Sequence, residues 1–135
     1  MRRYVIDTSA LLASMHEEAG KERVDELLLT GDCLMCAVNL SEFIAKCSDG
    51  GMTGAEIETI VHSFDLEIIY LDEELAFAAG LLRPACRHLG LSLGDRACLA
   101  LAKKHNAIAV TADRSWTRLD PELGLQVECI RPDGR

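Results

Sequence analysis

No run of this sequence approaches the ~18 consecutive apolar residues that a membrane-spanning helix needs. The longest apolar stretches, such as residues 75–82, are interrupted or bounded by Glu, Arg and Gly. No secretory leader is expected either. Arg2 and Arg3 precede an apolar stretch, but Asp7 interrupts it at once and no small-residue cleavage pattern follows. These absences lead to the expectation of a cytoplasmic protein with no membrane partner. Low-complexity tracts, internal repeats and linkers are also lacking, so one domain is expected over residues 1–135.

Positive charge is scarce. The chain has 14 Lys and Arg against 22 Asp and Glu, a net charge of −8. That balance excludes nonspecific nucleic-acid binding through a generally basic surface. A nucleic-acid enzyme stays open, because bound metal ions would neutralise part of an acidic site.

Ligand spacing for a soft metal is absent too. Cysteines stand at 33, 36, 47, 86, 98 and 129, mostly inside apolar stretches where a free thiol behaves as a small hydrophobe. Cys33-Leu34-Met35-Cys36 has the C-x-x-C form but lies in a strand-like run, where residues three apart face opposite sides. Two further ligands for zinc are not spaced nearby. His16, His62, His88 and His105 show no H-x-x-x-H pattern and read as surface or packing residues. Neither G-x-G-x-x-G nor a P-loop occurs.

What the chain does have is a hydrophobic content of 49% with 27% charged residues, enough for a true core. Strands are expected at 2–6, 33–38, 66–71, 107–110 and 125–130. Helices are expected at 9–15, about 19–30, from a cap at Asn39 to Lys46, after a capping box of Thr53 and Glu56, from Glu73 to His88 with a bend or restart at Pro84, and from Asp95 to His105. The strands are continuous apolar runs alternating with helices. That pattern predicts a three-layer α/β/α sandwich around a mostly parallel sheet of about five strands.

Four acids fall at strand ends or helix starts: Asp7, Glu42, Asp95 and Asp113. Each alone is explained by helix capping. Together they gain a second reading, because ligands bind outside the carboxyl ends of strands in an open α/β sheet. Carboxylates gathered there would repel one another, and a divalent cation removes that penalty. Oxygen ligands of this kind suit Mg²⁺ or Mn²⁺.

The stretches VIDTSALLA, NLSEF, SLGDRACLALA and TADRSW resemble the four acidic motifs of the PIN-domain ribonucleases, and among them the VapC-type toxins of bacterial toxin–antitoxin pairs. The resemblance covers nearly the whole chain, in the family's order and spacing. It implies a metal-dependent endoribonuclease that hydrolyses RNA phosphodiester bonds, leaving 5′-phosphate and 3′-hydroxyl ends. It places Asp7, Glu42, Asp95 and Asp113 on the family's acidic positions. One or two Mg²⁺ ions would be held by Asp7 and Asp95, with Glu42 and Asp113 completing the site directly or through water. Thr8, Ser9, Asn39 and Thr111 lie beside the acids and are candidates to orient metal waters or carboxylates and to contact substrate. The resemblance also implies a cognate antitoxin and a homodimer.

Several residues keep two readings. Arg96 and Arg114 each follow a site acid, and Arg118 lies one turn beyond; they contact phosphates or pair with carboxylates. Trp116 stacks on a base or packs in the core. Lys103 and Lys104 read as partners of a helix C-terminus. The stripes Val24, Leu27, Leu28 and Ile57, Ile60, Val61, Phe64 serve the core or a partner helix. Of the rival functions, a haloacid-dehalogenase-like phosphatase would need a second acid where Ser9 stands. A receiver domain would need paired acids near the first strand and a Lys after the last. A non-catalytic module of the same fold would have no need of four acids.

Overall fold

The computed structural model describes residues 2–131. Its centre is a five-stranded sheet of β1 (Tyr4–Ile6), β2 (Cys33–Cys36), β3 (Leu66–Ile69), β4 (Ile108–Thr111) and β5 (Gln126–Cys129), in the order β3-β2-β1-β4-β5. Every pairing is parallel; Val5 stands beside Leu34 on one side and Ala109 on the other. All four residues of β2 and of β4 are buried, which is why these strands read as unbroken apolar runs.

Helices cover both faces. The chain makes α1 (Thr8–Met15), α2 (Lys21–Leu29), α3 (Ala37–Asp49) and α4 (Gly54–Ser63), then α5 (Glu73–Leu81), α6 (Arg83–Cys86) and α7 (Leu93–Lys104). Alternate strand residues feed two separate cores. Val5, Leu34, Cys36 and Ala109 pack with Leu75 of α5 and Ala97 and Leu101 of α7. Ile6, Cys33, Met35 and Val110 pack with Leu11, Val24, Phe43 and Ile57 of α1 to α4. Cys33 and Cys36 thus sit on opposite faces of the sheet, and all six thiols are free. The three-layer α/β/α architecture expected from the sequence is the one observed.

Element boundaries shift in informative places. The second strand stops at Cys36 and the chain turns straight into α3 at Ala37, with Cys36 in the cap position. Asn39 is therefore not a helix cap but a buried residue in the first turn. The helix expected over 73–88 breaks at Leu82, giving α5, α6 and a 3-10 turn at Arg87–Leu89. Pro84 lacks the amide hydrogen that an unbroken helix would need. Thr53 and Glu56 do form the expected capping box, with both reciprocal hydrogen bonds made. Trp116 is core: it is buried in a short 3-10 helix, Arg114–Arg118. Val24, Leu27 and Ile57 are core residues, while Leu28, Ile60, Val61 and Phe64 pack partly buried against them.

The strand order reverses direction at β1. From there β2 and β3 are added on one side, β4 and β5 on the other. The crevice between β1 and β4, beyond their carboxyl ends, is the topological switch point where open α/β sheets bind ligands. Asp7 follows β1 and Asp113 follows β4 there. No helix among the described residues is long and apolar enough to cross a membrane.

Candidate active site

Asp7 occupies the position before α1, yet its carboxylate does not cap that helix. It is 3% exposed, at the mouth of the switch-point crevice. Its Oδ2 accepts hydrogen bonds from Ser9 Oγ at 2.6 Å and Thr111 Oγ1 at 3.0 Å. Burial pushes its pKa up from 3.8 to about 6, the negative charges of Asp95 and Glu42 add to the rise, and the hydroxyls of Ser9 and Thr111 hold it back.

The end of β4 is tied to the same group. Thr111 Oγ1 accepts from Asp113 N at 3.0 Å, and Ser9 Oγ accepts from Ala112 N at 2.9 Å. With those acceptor positions filled by backbone amides, the two hydroxyl protons are left for Asp7.

Asn39 braces the other side. Its Nδ2 lies 3.1 Å from Gly94 O, 3.3 Å from Glu42 Oε1 and 3.5 Å from Asp7 Oδ1. All three neighbours are acceptors, which fixes the orientation of the amide. Its Oδ1 is buried with no hydrogen-bond partner among the described residues. Thr8 Oγ1 stands 3.0 Å from both Asn39 O and Glu42 Oε1. Its single proton serves one of them at a time.

Asp95 is the third residue of α7, and Ser92 is the cap. Ser92 Oγ accepts from Asp95 N at 3.2 Å, and Asp95 Oδ2 accepts from Ser92 N at 2.9 Å. Burial raises the Asp95 pKa, the capping bonds oppose the rise, and the charge of Asp113 adds to it. Capping and site chemistry are not exclusive here, because one oxygen can cap while the other faces the crevice.

Asp7, Glu42 and Asp95 line one cleft of about 330 Å³, together with Thr8, Ser9 and Leu12. Asp113 does not line it. Asp113 is exposed, caps the 3-10 helix by accepting from Ser115 N at 2.9 Å, and lines an adjoining cleft that shares Ser9. Arg96 donates from Nη1 to Ala79 O at 3.0 Å, so its guanidinium is anchored to α5. Lys103 donates to Leu123 O at 2.9 Å, and Lys104 lies 3.4 Å from Glu74.

Three informative residues in or beside this cleft escaped sequence reading. Lys46 and Asp49 line it from the same helix as Glu42. Their spacing, four and seven residues on, puts them on one helical face, and that was the available signal. Gly94 is the third: a Cβ there would meet the Glu42 carboxylate.

Among the described residues, no three His, Cys, Asp or Glu side chains form a ready-made metal cage. The donor set nonetheless fits Mg²⁺, which binds through one or two carboxylates and completes its shell with water and substrate phosphate. The buried carboxylate of Asp7 and the unpartnered Asn39 Oδ1 are the observations that favour such an ion.

Among curated proteins none matches the chain. Solved structures do. DNA-bound VapBC from Salmonella typhimurium has a chain 18% identical, with a TM-score of 0.70, covering 96% of this chain and 98% of that one. VapBC2 from Rickettsia felis, bound to a promoter DNA fragment, gives 23% identity, a TM-score of 0.69 and coverage of 93% and 97%. VapBC-5 from Mycobacterium tuberculosis gives 22%, 0.64, and coverage of 98% and 100%. At these identities the likeness is one of fold. The PIN domain model matches residues 4–121, from the first strand past the helix that Asp113 caps. PIN domains are nucleases and generally use divalent metal ions. By that match over most of its length, the chain belongs to the PIN domain family.

Proposed function

We propose that the protein is a Mg²⁺- or Mn²⁺-dependent endoribonuclease and the toxin of a toxin–antitoxin pair. The observation that carries this reading is the cleft beyond the carboxyl end of β1, which Asp7, Glu42 and Asp95 line together. A scaffold has no use for a carboxylate 3% exposed with its pKa raised to about 6. A cation-dependent phosphodiesterase does.

Asp7 and Asp95 are the principal ligands in this reading, with Glu42 and Asp113 reached directly or through water. A divalent ion so held supplies an activated water at neutral pH and countercharge for the phosphate during in-line displacement. The protein's own part is positioning. Ser9 and Thr111 fix the Asp7 carboxylate from the β4 side. Asn39 ties α3 to the first turn of α7 through Gly94 O, and Thr8 orients Glu42. Arg96 holds α7 to α5, which leaves Arg114 for phosphate. Cleavage yields 5′-phosphate and 3′-hydroxyl ends.

The partners in this reading are an RNA substrate, a cognate antitoxin and a second copy of the chain. The VapBC complexes of the same fold support an antitoxin. Phe77 and Leu81, one turn apart on α5, are 69% and 68% exposed and support a protein contact. A groove of about 440 Å³ lined by Ile44, Ile57 and Val61 runs between α3 and α4. Light scattering of the purified chain should give the mass of a dimer; a strict monomer would remove the second copy.

The direct test is cleavage of RNA by the purified, antitoxin-free protein. Activity should require Mg²⁺ or Mn²⁺, vanish with EDTA and vanish in Asp7→Asn. Cleavage at the wild-type rate by Asp7→Asn would overturn the assignment.

A further inference from the structure

We infer that the cleft adjoining the acidic one is a subsite for a phosphate of the RNA strand next to the scissile linkage, formed by Arg114, Arg118 and Arg131. The inference rests on the nuclease reading above and gives the bound strand a direction across the crevice.

The cleft has a volume of about 430 Å³, and those three arginines line it with Ser9, Asp113 and Ser115. In a chain of net charge −8 with only 14 Lys and Arg, three on one small concavity is a strong local concentration. They are also free of other work. Among the described residues, Arg114 and Arg118 make no side-chain hydrogen bond or ion pair, and Arg131 reaches only Glu18, at 3.9 Å. Arg3, Lys21 and Arg23, by contrast, are each paired with an acid at 3.0 Å or closer.

The three come from anchored elements. Arg114 and Arg118 bracket the 3-10 helix that the buried Trp116 pins to the core. Arg131 follows β5, whose end is tied to β4 by Ile130 N donating to Thr111 O at 2.9 Å. Ser115 Oγ is buried beside them with no hydrogen-bond partner among the described residues, and a hydroxyl can rotate to meet an anion. Planar guanidinium groups bind phosphate oxygens in pairs, which a lysine cannot do.

Position supplies the rest. Ser9 lines both clefts, so a strand that occupies one passes directly into the other. The acidic cleft repels a polyanion except at its cation. A flanking set of free arginines offsets that repulsion and sets which neighbouring linkage is gripped. The three arginines lie on the β4–β5 side of Ser9, while Lys46 of α3 lines the acidic cleft on the other side.

The test uses the full chain with its acids intact and RNA protected from cutting by phosphorothioate linkages. Binding of a fluorescein-labelled single-stranded RNA in Mg²⁺ is followed by anisotropy as KCl rises. Arg118→Gln and Arg131→Gln should each weaken binding about ten-fold. Their combination should lower the slope of log affinity against log salt by about 0.7, the loss of one phosphate contact on a single strand. Arg118→Lys should keep the slope, since it keeps the charge. RNAs carrying one neutral methylphosphonate add a cycle: a single linkage beside the cut should matter to the parent protein and not to the double variant. With unprotected RNA, KM should rise while kcat holds, which a folding defect would not produce. Equal affinity and slope in all proteins would overturn the subsite and leave the nuclease reading in place. No RNA binding by any of them would overturn both.

Discussion

Gly94, in the first turn of α7, lies against the carboxylate of Glu42 on α3 so closely that a Cβ at position 94 would stand 2.7 Å from Glu42 Cδ and nearer still to both oxygens. The small residue is what lets an acid from one helix sit over the N-terminus of another. Its φ is not in the left-handed region, so alanine is allowed by the backbone and favoured by helix propensity. Gly94→Ala should therefore leave the melting temperature unchanged or slightly higher, and displace Glu42. A displacement of about 1 Å in a catalytic group costs on the order of 100-fold in rate. RNA cleavage and thermal melting of the one variant check both halves.

Asp7 makes stability depend on pH in the unusual direction for an acid. Its pKa rises from 3.8 to about 6 on folding, so between these values the folded state holds more protons than the unfolded one. Stability contributed by this group is fully present below the unfolded value and is lost as pH rises through about 6. The loss is on the order of 3 kcal/mol. Asp7→Asn should remove that decline, melting higher than the parent at pH 7.5 and showing little advantage at pH 4.5. Mn²⁺ should raise the parent's melting temperature more at pH 7.5 than at pH 5, because the ion competes with a proton for Asp7.

Ser9→Ala removes the short hydrogen bond that favours ionised Asp7. The acid limb of the pH–rate profile should move up by about one unit, with less change in the rate at pH 8. Thr111→Val should move it the same way, since its hydroxyl also donates to Asp7. A profile unmoved by both changes would separate Asp7 from the limb.

Thr53→Ala is the distant control. Thr53 caps α4 and takes no part in the cleft. Its loss should cost about 1 kcal/mol of stability in urea unfolding and leave cleavage unchanged.

The fold was legible because a parallel sheet covered on both faces leaves unbroken apolar runs, and the spacing of those runs survives errors at their ends. The error nearest the site has a plain source. Ala37 and Val38 continue the apolar run of β2 but belong to α3, and an apolar run is equally at home in a buried helix. That ambiguity made Asn39 look like a cap when its amide is drawn into the crevice between Asp7, Glu42 and Gly94. Of the four acids, Asp7 was the plainest, since nothing in a core strand asks for a carboxylate. Asp113 reads identically in sequence, yet β4 carries it to the adjoining cleft, a difference set by side-chain direction and not by spacing. Lys46 and Asp49 went unread because charges on a helix ordinarily face water. Gly94 looks like any glycine at a helix start until the helix opposite is known.

Calorimetric titration of Mn²⁺ into the purified chain and into Asp7→Asn addresses the acidic cleft most directly. Uptake by the parent at pH 7.5, weakening toward pH 5 and lost in the variant, is the expected result. Equal uptake by both proteins, or none by the parent, would contradict it.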